Sequence, residues 1–354
     1  MIKVLIVEDS PVMQQLLIHT INSDPIFMIV GVANDGEEAI EAAARLHPDV
    51  IAMDWYMPKL DGQKATRRIM ETNPIPIVLV TASMAIKDVM FSFGIMEAGA
   101  LAIVKKPHSI DHPEYKKDAK ELIQTLKTMS EVKLVRRMVR ITGKHVPIKF
   151  TAEKPLKIDS EIQVVAIGAS TGGPLILQKI ILGLPKNIPV PLLIVQHISP
   201  GFTKGFAEWL GNTTGFSLTV AKHGEYILPG TGYIAPDGFH MGVDSSRKIF
   251  LSQHEPENNL RPSVAYLFRT VANVFGSNAI GILLTGMGRD GADELKLMKD
   301  KGAVTIAQDK ETCIVYGMPN EAVKLGAAMH VLSPEEIVKT IISLTTNHGL
   351  QNEK

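Results

Sequence analysis

Ser170 stands in the segment Gly168-Ala169-Ser170-Thr171-Gly172-Gly173-Pro174, directly after the β-branched run Val164–Ile167 and ahead of a helical apolar pattern. Glycines allow a tight turn there, and Pro174 suits the first turn of the helix that follows. A serine on such a strand-to-helix turn lies near backbone N–H groups that favour developing negative charge. The segment also fits Gly-x-Ser-x-Gly, a nucleophile turn of acyl-transfer enzymes; a phosphate-binding loop competes for the same glycines. A serine nucleophile needs a base. His197, in Val195-Gln196-His197, ends the next strand and is followed by Ser199-Pro200-Gly201. The acid that orients the imidazole is Asp290, delivered by the glycine-rich loop Leu284-Thr285-Gly286-Met287-Gly288-Arg289-Asp290-Gly291. Its plainer role is that of a helix N-cap. In the competing order Ser, Asp, His, the base would be His330. Against that order, Ser170 follows the first strand of its region, and His330 lies in the apolar run Ala327–Leu332, which reads as core. Asp237, His240 and His254 form a rival metal set, but their spacing matches no strong ligand motif.

A second group of reactive residues precedes these. Glu8 and Asp9 follow the run Val4–Val7, Asp54 follows Val50–Met53, Thr81 ends Ile77–Thr81, and Lys106-Pro107 follows Leu101–Val104. Glu8, Asp9 and Asp54 converging at strand ends make a hard-oxygen site suited to Mg²⁺. With the ion present, Asp54 can attack a phosphoryl group and form an acyl phosphate. Thr81 offers a hydroxyl and Lys106 a cation to the added oxygens. Any one of these acids alone reads as a solvated loop residue. Their joint placement at the ends of the first, third, fourth and fifth strands, where open α/β sheets bind ligands, reads as a site.

The elements that must carry both groups alternate strand with helix. The first region has strand runs at Val4–Val7, Met28–Val32, Val50–Met53, Ile77–Thr81 and Leu101–Val104, separated by helical spacing such as Val12 to Ile21. This predicts a (βα)5 parallel sheet over residues 1–125. Residues 126–160 read as a linker that starts as a helix extension. They carry Lys133, Arg136, Arg137, Arg140, Lys144 and Lys149 with Pro147 and Pro155, a basic run that suits a solvated segment better than a contact surface. Residues 161–347 alternate again, with strands at Val164–Ile167, Leu192–Val195, Ser217–Val220, Gly232–Ala235, Ile249–Leu251, Ile280–Leu284 and Ala303–Ala307. A doubly wound α/β esterase domain is expected, with an irregular and antiparallel middle between Ala221 and Leu251.

Whole-chain properties narrow the function classes. Two domains suit 354 residues, and 37 basic against 37 acidic side chains argue against nucleic acid as the main partner. Cys313 is the one cysteine, so no intrachain disulfide forms, and a reducing compartment is the simple reading. No apolar run approaches the ~20 residues that span a bilayer, so no membrane insertion is expected. Met1-Ile2-Lys3-Val4 already reads as strand rather than signal peptide. A cytoplasmic location follows as the default.

Residues 1–125 resemble the response-regulator receiver domain through Val7-Glu8-Asp9-Ser10, Asp54 with Met57-Pro58 and Asp61-Gly62, Thr81-Ala82-Ser83 and Lys106-Pro107. The resemblance implies phosphorylation of Asp54 by a partner histidine kinase. Ile103 stands where receivers often carry an aromatic switch residue, so signalling through a Thr81-led loop movement is expected instead. The region from 162 to 347 resembles the catalytic domain of CheB-type protein-glutamate methylesterases of bacterial chemotaxis. The matching pieces are Ile167 to Pro174, Val195-Gln196-His197, Pro229-Gly230, Tyr233-Ile234-Ala235-Pro236, Leu284 to Ala292, Ala307-Gln308-Asp309 and Gly317-Met318-Pro319. That resemblance implies a Ser170, His197, Asp290 triad, with backbone amides of Thr171 and Met287 as the oxyanion hole and no cofactor for the esterase step. It also implies methylated chemoreceptors as substrate, methanol as product, and glutamine deamidation in some members. Ala265 departs from the family, which usually carries an acid there; altered substrate recognition is the expected consequence. A receiver joined to an esterase suggests that the unphosphorylated receiver restrains the enzyme. The rival readings are an esterase for a different substrate and a non-catalytic adaptor.

Overall fold

Strands buried on both faces read as unbroken apolar runs, and Val4–Val7, Val50–Met53 and Ile77–Val80 are all buried. They belong to a computed structural model that describes residues 1–82, 93–132 and 161–346. Contacts divide the chain into two units, Met1–Pro147 and Ile148–Lys354. In the first, β1 (Ile2–Val7), α1 (Pro11–Asn22), β2 (Phe27–Ala33), α2 (Gly36–Leu46), β3 (Val50–Met53) and α3 (Gly62–Thr72) are followed by β4 (Ile77–Thr81), β5 (Ala102–Lys105) and α4 (Tyr115–Ser130). The sheet order is β2-β1-β3-β4-β5, and each strand pair is parallel. The order reverses between β1 and β3, and the crevice at that switch point is where such sheets bind ligands. Asp35 and Asp61 cap α2 and α3 by accepting backbone N–H bonds, as N-cap acids do.

The second unit runs β6 (Val164–Ala169), α5 (Gly173–Gly183), β7 (Leu192–Gln196), α6 (Thr203–Thr214), β8 (Ser217–Val220), β9 (Thr231–Ile234), β10 (His240–Val243) and β11 (Ile249–Ser252). Then come α7 (Val264–Phe275), β12 (Ala279–Leu283), α8 (Ala292–Asp300), β13 (Val304–Gln308), α9 (Met318–Lys324), β14 (His330–Leu332) and α10 (Pro334–Thr346). Seven strands form one sheet in the order β14-β13-β12-β6-β7-β9-β8, parallel at every pair. The chain leaves β6 to one side and returns through β12 on the other, so the switch point lies between β6 and β12. The core joins β6, β7 and β12 to the buried face of α7, including Leu267, Phe268 and Val271. Among the described residues, no helix is long and apolar enough to cross a membrane.

The α/β expectation holds in both units, with local corrections. The middle of the second unit is antiparallel in the β10–β11 hairpin and the Tyr226–Lys248 bridge beside it; β8 and β9 pair in parallel with the main sheet. The run Ala327–Leu332 is core only at its start, where Ala327 is fully buried and Ala328 packs on the cluster; His330–Leu332 forms the edge strand β14, where Val331 is 46% exposed. From 133 to 160, the expected linker lies outside the described residues, as does Ser83 of the receiver motif.

Candidate functional site

The receiver residues meet at the carboxyl ends of β1, β3, β4 and β5. Glu8 and Asp54 are buried while Asp9 is exposed, and ligand oxygens of all three lie within 4.8 Å of one another. Lys106 Nζ lies 2.6 Å from Glu8 Oε2 and 2.9 Å from Asp54 Oδ2. Burial pushes the Glu8 and Asp54 carboxyls above the usual carboxylate range, against the pull of Lys106. Burial also opposes the Lys106 charge, but the Asp54 and Glu8 carboxylates outweigh it and raise the ammonium above its usual range. Glu8 Oε2 is buried against the Lys106 ammonium. Three carboxylates whose oxygens gather within 4.8 Å, one of them exposed, fit a Mg²⁺ ligand set. Thr81 is buried at the end of β4, and its carbonyl accepts the Lys106 backbone N–H at 2.8 Å. Ile103 packs, partly buried, on the hydrophobic core of this unit.

In the second unit the sheet register sets Ser170 beside His197. β6 pairs Ala169 with Gln196, and His197 N–H donates to the Ala169 carbonyl at 2.9 Å. The two residues that follow this pair therefore leave neighbouring strand ends together. From the other side, the chain after β12 holds Ser170, whose N–H donates to the Thr285 carbonyl at 3.0 Å. Gly172, at φ 79°, turns the chain into α5, and Gly173 and Pro174 open that helix. Gln196 is buried, and its Nε2 donates to the Ser170 carbonyl at 2.8 Å and the His197 carbonyl at 2.7 Å. One side chain thus ties the two strand ends. The residue before His197 was the available signal for it, and strand-end reasoning passed it over.

Asp290 reaches the same point from the loop after β12. His197 Nε2 and Asp290 Oδ2 are 2.9 Å apart, with the carboxylate buried. The plain N-cap alternative fails in an informative way. Gly291, at φ 80°, precedes α8, while Asp290 caps α7: it accepts the N–H of Val264 at 2.6 Å and of Ala265 at 3.3 Å. Asn258 Nδ2 donates to Oδ1 at 3.1 Å. Burial works against the charge, yet the His197 hydrogen bond and imidazole, with the Val264 amide and Asn258, hold the carboxyl below the usual carboxylate range. Ala265 is buried against this arrangement, so no second carboxylate stands beside Asp290 at that position.

Met287 is 41% exposed in a loop whose Gly286 carbonyl accepts the N–H of Gly317 at 3.1 Å and of Met318 at 2.9 Å. The Thr171 carbonyl accepts the Thr285 hydroxyl at 3.0 Å. His330 lies elsewhere. It begins β14, paired with Ile306, so three strand steps separate it from β6 and it stands at the wrong end of its strand. The Asp237, His240, His254 set is also dispersed: Asp237 accepts the Gly201 N–H at 2.9 Å, and His240 is buried against the Glu255 carbonyl at 3.1 Å and Ser263 at 3.2 Å. Cys313 is no rival nucleophile, because burial pushes its thiol up to about 12.

The first unit therefore has the parallel sheet of a receiver, with carboxylates gathered at one edge, and the second is a doubly wound α/β domain with Ser170, His197 and Asp290 near its topological switch point. Residues 165–341 match the CheB methylesterase family and residues 4–114 the response regulator receiver domain. A relative from Syntrophus aciditrophicus named protein-glutamate methylesterase/protein-glutamine glutaminase 1 is 51% identical over 97% of this chain and 98% of its own length. One from Nitrosospira multiformis, a protein-glutamate methylesterase/protein-glutamine glutaminase, is 49% identical over 99% and 98%. The crystal structure of the Thermotoga maritima CheB methylesterase catalytic domain superposes with a TM-score of 0.51 at 41% identity, over 52% of this chain and 100% of that one. The chain belongs to the CheB methylesterase family and carries the receiver domain in front of the catalytic one.

Proposed function

We propose that this chain is a phosphorylation-activated protein-glutamate methylesterase that hydrolyses γ-glutamyl methyl esters on chemoreceptors, and that it also deamidates receptor glutamines. The observation that carries it is the convergence of Ser170, His197 and Asp290 on the switch point, with the imidazole 2.9 Å from the buried Asp290 carboxyl. In this reading His197 takes the Ser170 proton as the hydroxyl oxygen attacks the ester carbonyl. The Asp290 carboxylate holds the proton on Nε2, which leaves Nδ1 as the base. Backbone amides of Thr171 and Met287 receive the oxyanion, worth about 3–4 kcal/mol per donor in serine hydrolases. The imidazolium returns its proton to the departing methoxide, releasing methanol, and water cleaves the acyl-enzyme by the reverse sequence. For a glutamine the leaving group is ammonia.

Control rests on the receiver. A partner histidine kinase of the chemotaxis type supplies the phosphoryl group to Asp54. Glu8, Asp9 and Asp54 would hold Mg²⁺, whose charge offsets that of the phosphoryl oxygens. Thr81 and Lys106 then turn toward the phosphate, and the loops around them reorganise. If the unphosphorylated receiver restrains the esterase, a shift of about 1.4 kcal/mol changes the ratio of open to closed forms roughly tenfold. The domain boundaries that go with this reading are 1–125, 126–160 and 161–347, and the site of action is the cytoplasm. Methanol release from methylated receptor, with and without acetyl phosphate, tests it. Release that rises with the phosphodonor is expected; an unchanged rate, or none from methylated receptor, would overturn it.

A further inference from the structure

The loop before α7 holds a residue with no assigned role. Asn258 and Asn259 have φ of 53° and 63°, and Glu257 and Leu260 exchange backbone hydrogen bonds at 3.1 and 2.8 Å. Two consecutive left-handed residues between such a pair make a type I′ turn, and asparagine tolerates that conformation better than most side chains. The turn is anchored at both ends. Glu257 pairs with Arg269 of α7, whose Nη2 lies 2.6 Å from Oε2. Arg261 Nη1 donates to the carbonyls of Gln253 at 2.9 Å and His254 at 3.1 Å. The turn is thereby fixed to the same helix whose first amides bind Asp290, and it delivers the Asn258 amide to Asp290 Oδ1.

The four donors on Asp290 are divided. Oδ2 receives His197 Nε2 at 2.9 Å and Val264 N–H at 2.6 Å; Oδ1 receives Asn258 Nδ2 at 3.1 Å and the more distant Ala265 N–H at 3.3 Å. Without the Asn258 amide, Oδ1 keeps only the longer bond, and the carboxylate gains freedom to rotate its other oxygen off the imidazole. We propose that Asn258 is a positioning residue of the triad: an Asn-Asn turn stapled to α7 presents its amide to Oδ1 and so aims Oδ2 at His197. This rests on the assignment of Ser170, His197 and Asp290 proposed above.

The test uses the full-length protein with phosphodonor and methylated receptor, and compares four variants. Asn258→Gly keeps the left-handed backbone and removes the amide. Its kcat should fall about tenfold with KM unchanged, the effect of one hydrogen bond to a charged group. Asn258→Asp sets a second carboxylate against Asp290. Its kcat should fall further, and the acid limb of kcat/KM should move to higher pH, because added negative charge favours the protonated imidazole. Asn259→Gly changes the turn without touching Asp290 and should stay within about twofold of wild type. Wild-type kcat and pH profile in Asn258→Gly would overturn the inference, as would an equal loss in Asn259→Gly, which would place the effect in the turn. The fourth variant, Ser170→Ala, separates the two levels: full activity there sinks the triad itself, whatever Asn258 does.

Discussion

Gly286 has no room for a side chain, and the atoms it would strike include the nucleophile. A Cβ built there lies 2.5 Å from Met318 Sδ, 2.6 Å from Ser170 Cβ and 3.2 Å from Ser170 N. Ordinary carbon contacts are about 3.5–4.0 Å, so Gly286→Ala demands relief of about 1 Å. Little can yield. Gly286 is pinned by its N–H on the Val315 carbonyl at 3.0 Å and by two amides on its own carbonyl. Met318 is fully buried. Ser170 is bound through its N–H to Thr285 and through its carbonyl to Gln196. The strain should cost about 1–3 kcal/mol of stability, typical of overpacking. A displacement of about 1 Å at Ser170 should cost about 100-fold in kcat. Urea unfolding and methanol release, measured on the same preparation, separate the two effects. Gly211→Ala is the control: its nearest neighbour is the Phe216 carbonyl at 3.7 Å, so this helical site should gain about 0.5–1 kcal/mol and keep full activity. A folded Gly286→Ala protein with kcat within threefold of wild type would refute the reasoning.

Other expectations follow from the same geometry. His197→Gln should abolish turnover while His330→Gln keeps it, compared at matched folded fraction; the opposite pattern would restore the competing order Ser, Asp, His. Removal of residues 1–160 should leave a constitutively active esterase, and Asp54→Asn should stay at the basal rate with acetyl phosphate present; equal rates for all forms would exclude restraint by the receiver. The Asp290 carboxyl is depressed, so its contribution to stability is present above the unfolded aspartate value of about 3.9 and is lost as pH falls further, through the folded value. Urea midpoints of wild type should decline across that acid window, and those of Asp290→Asn should decline less. Because burial raises Glu8 and Asp54, protons should compete with Mg²⁺ at higher pH than at ordinary carboxylates. A titration that follows binding by the fluorescence of Trp55, whose backbone N–H donates to Asp54 Oδ1 at 2.8 Å, should show affinity falling as pH drops toward the acid range, and a flat response would count against those ligands.

Periodicity and strand-end residues made both sheets legible. Ser170, His197 and Asp290 stood out because each follows a strand, and in a parallel sheet all carboxyl ends share one edge. What the pattern could not convey was which strands are neighbours. His330 is set aside as a base in part because its run reads as core, whereas the order β14-β13-β12-β6 supplies the firmer reason, placing it three strands away from β6. It looked buried because an apolar run such as Ala327–Leu332 does not tell an edge strand from an inner one. Asp290 resembled a cap for the helix that follows it, yet it caps α7, whose first residue is 26 positions upstream. Asn258 and Gln196 were missed because their roles depend on which carbonyl or carboxylate the fold brings near. The Asn258-Asn259 pair was at most a turn signal.

The central claim is that Ser170 is the nucleophile, and trapping measures it most directly. The full-length protein is treated with a fluorophosphonate, digested, and its adduct mapped by mass spectrometry, with His197→Gln treated in parallel. The phosphonyl group is expected on Ser170 in wild type, in step with the loss of methanol release, and strongly slowed in His197→Gln. An adduct on another residue, or continued methanol release from protein fully labelled at Ser170, would contradict it.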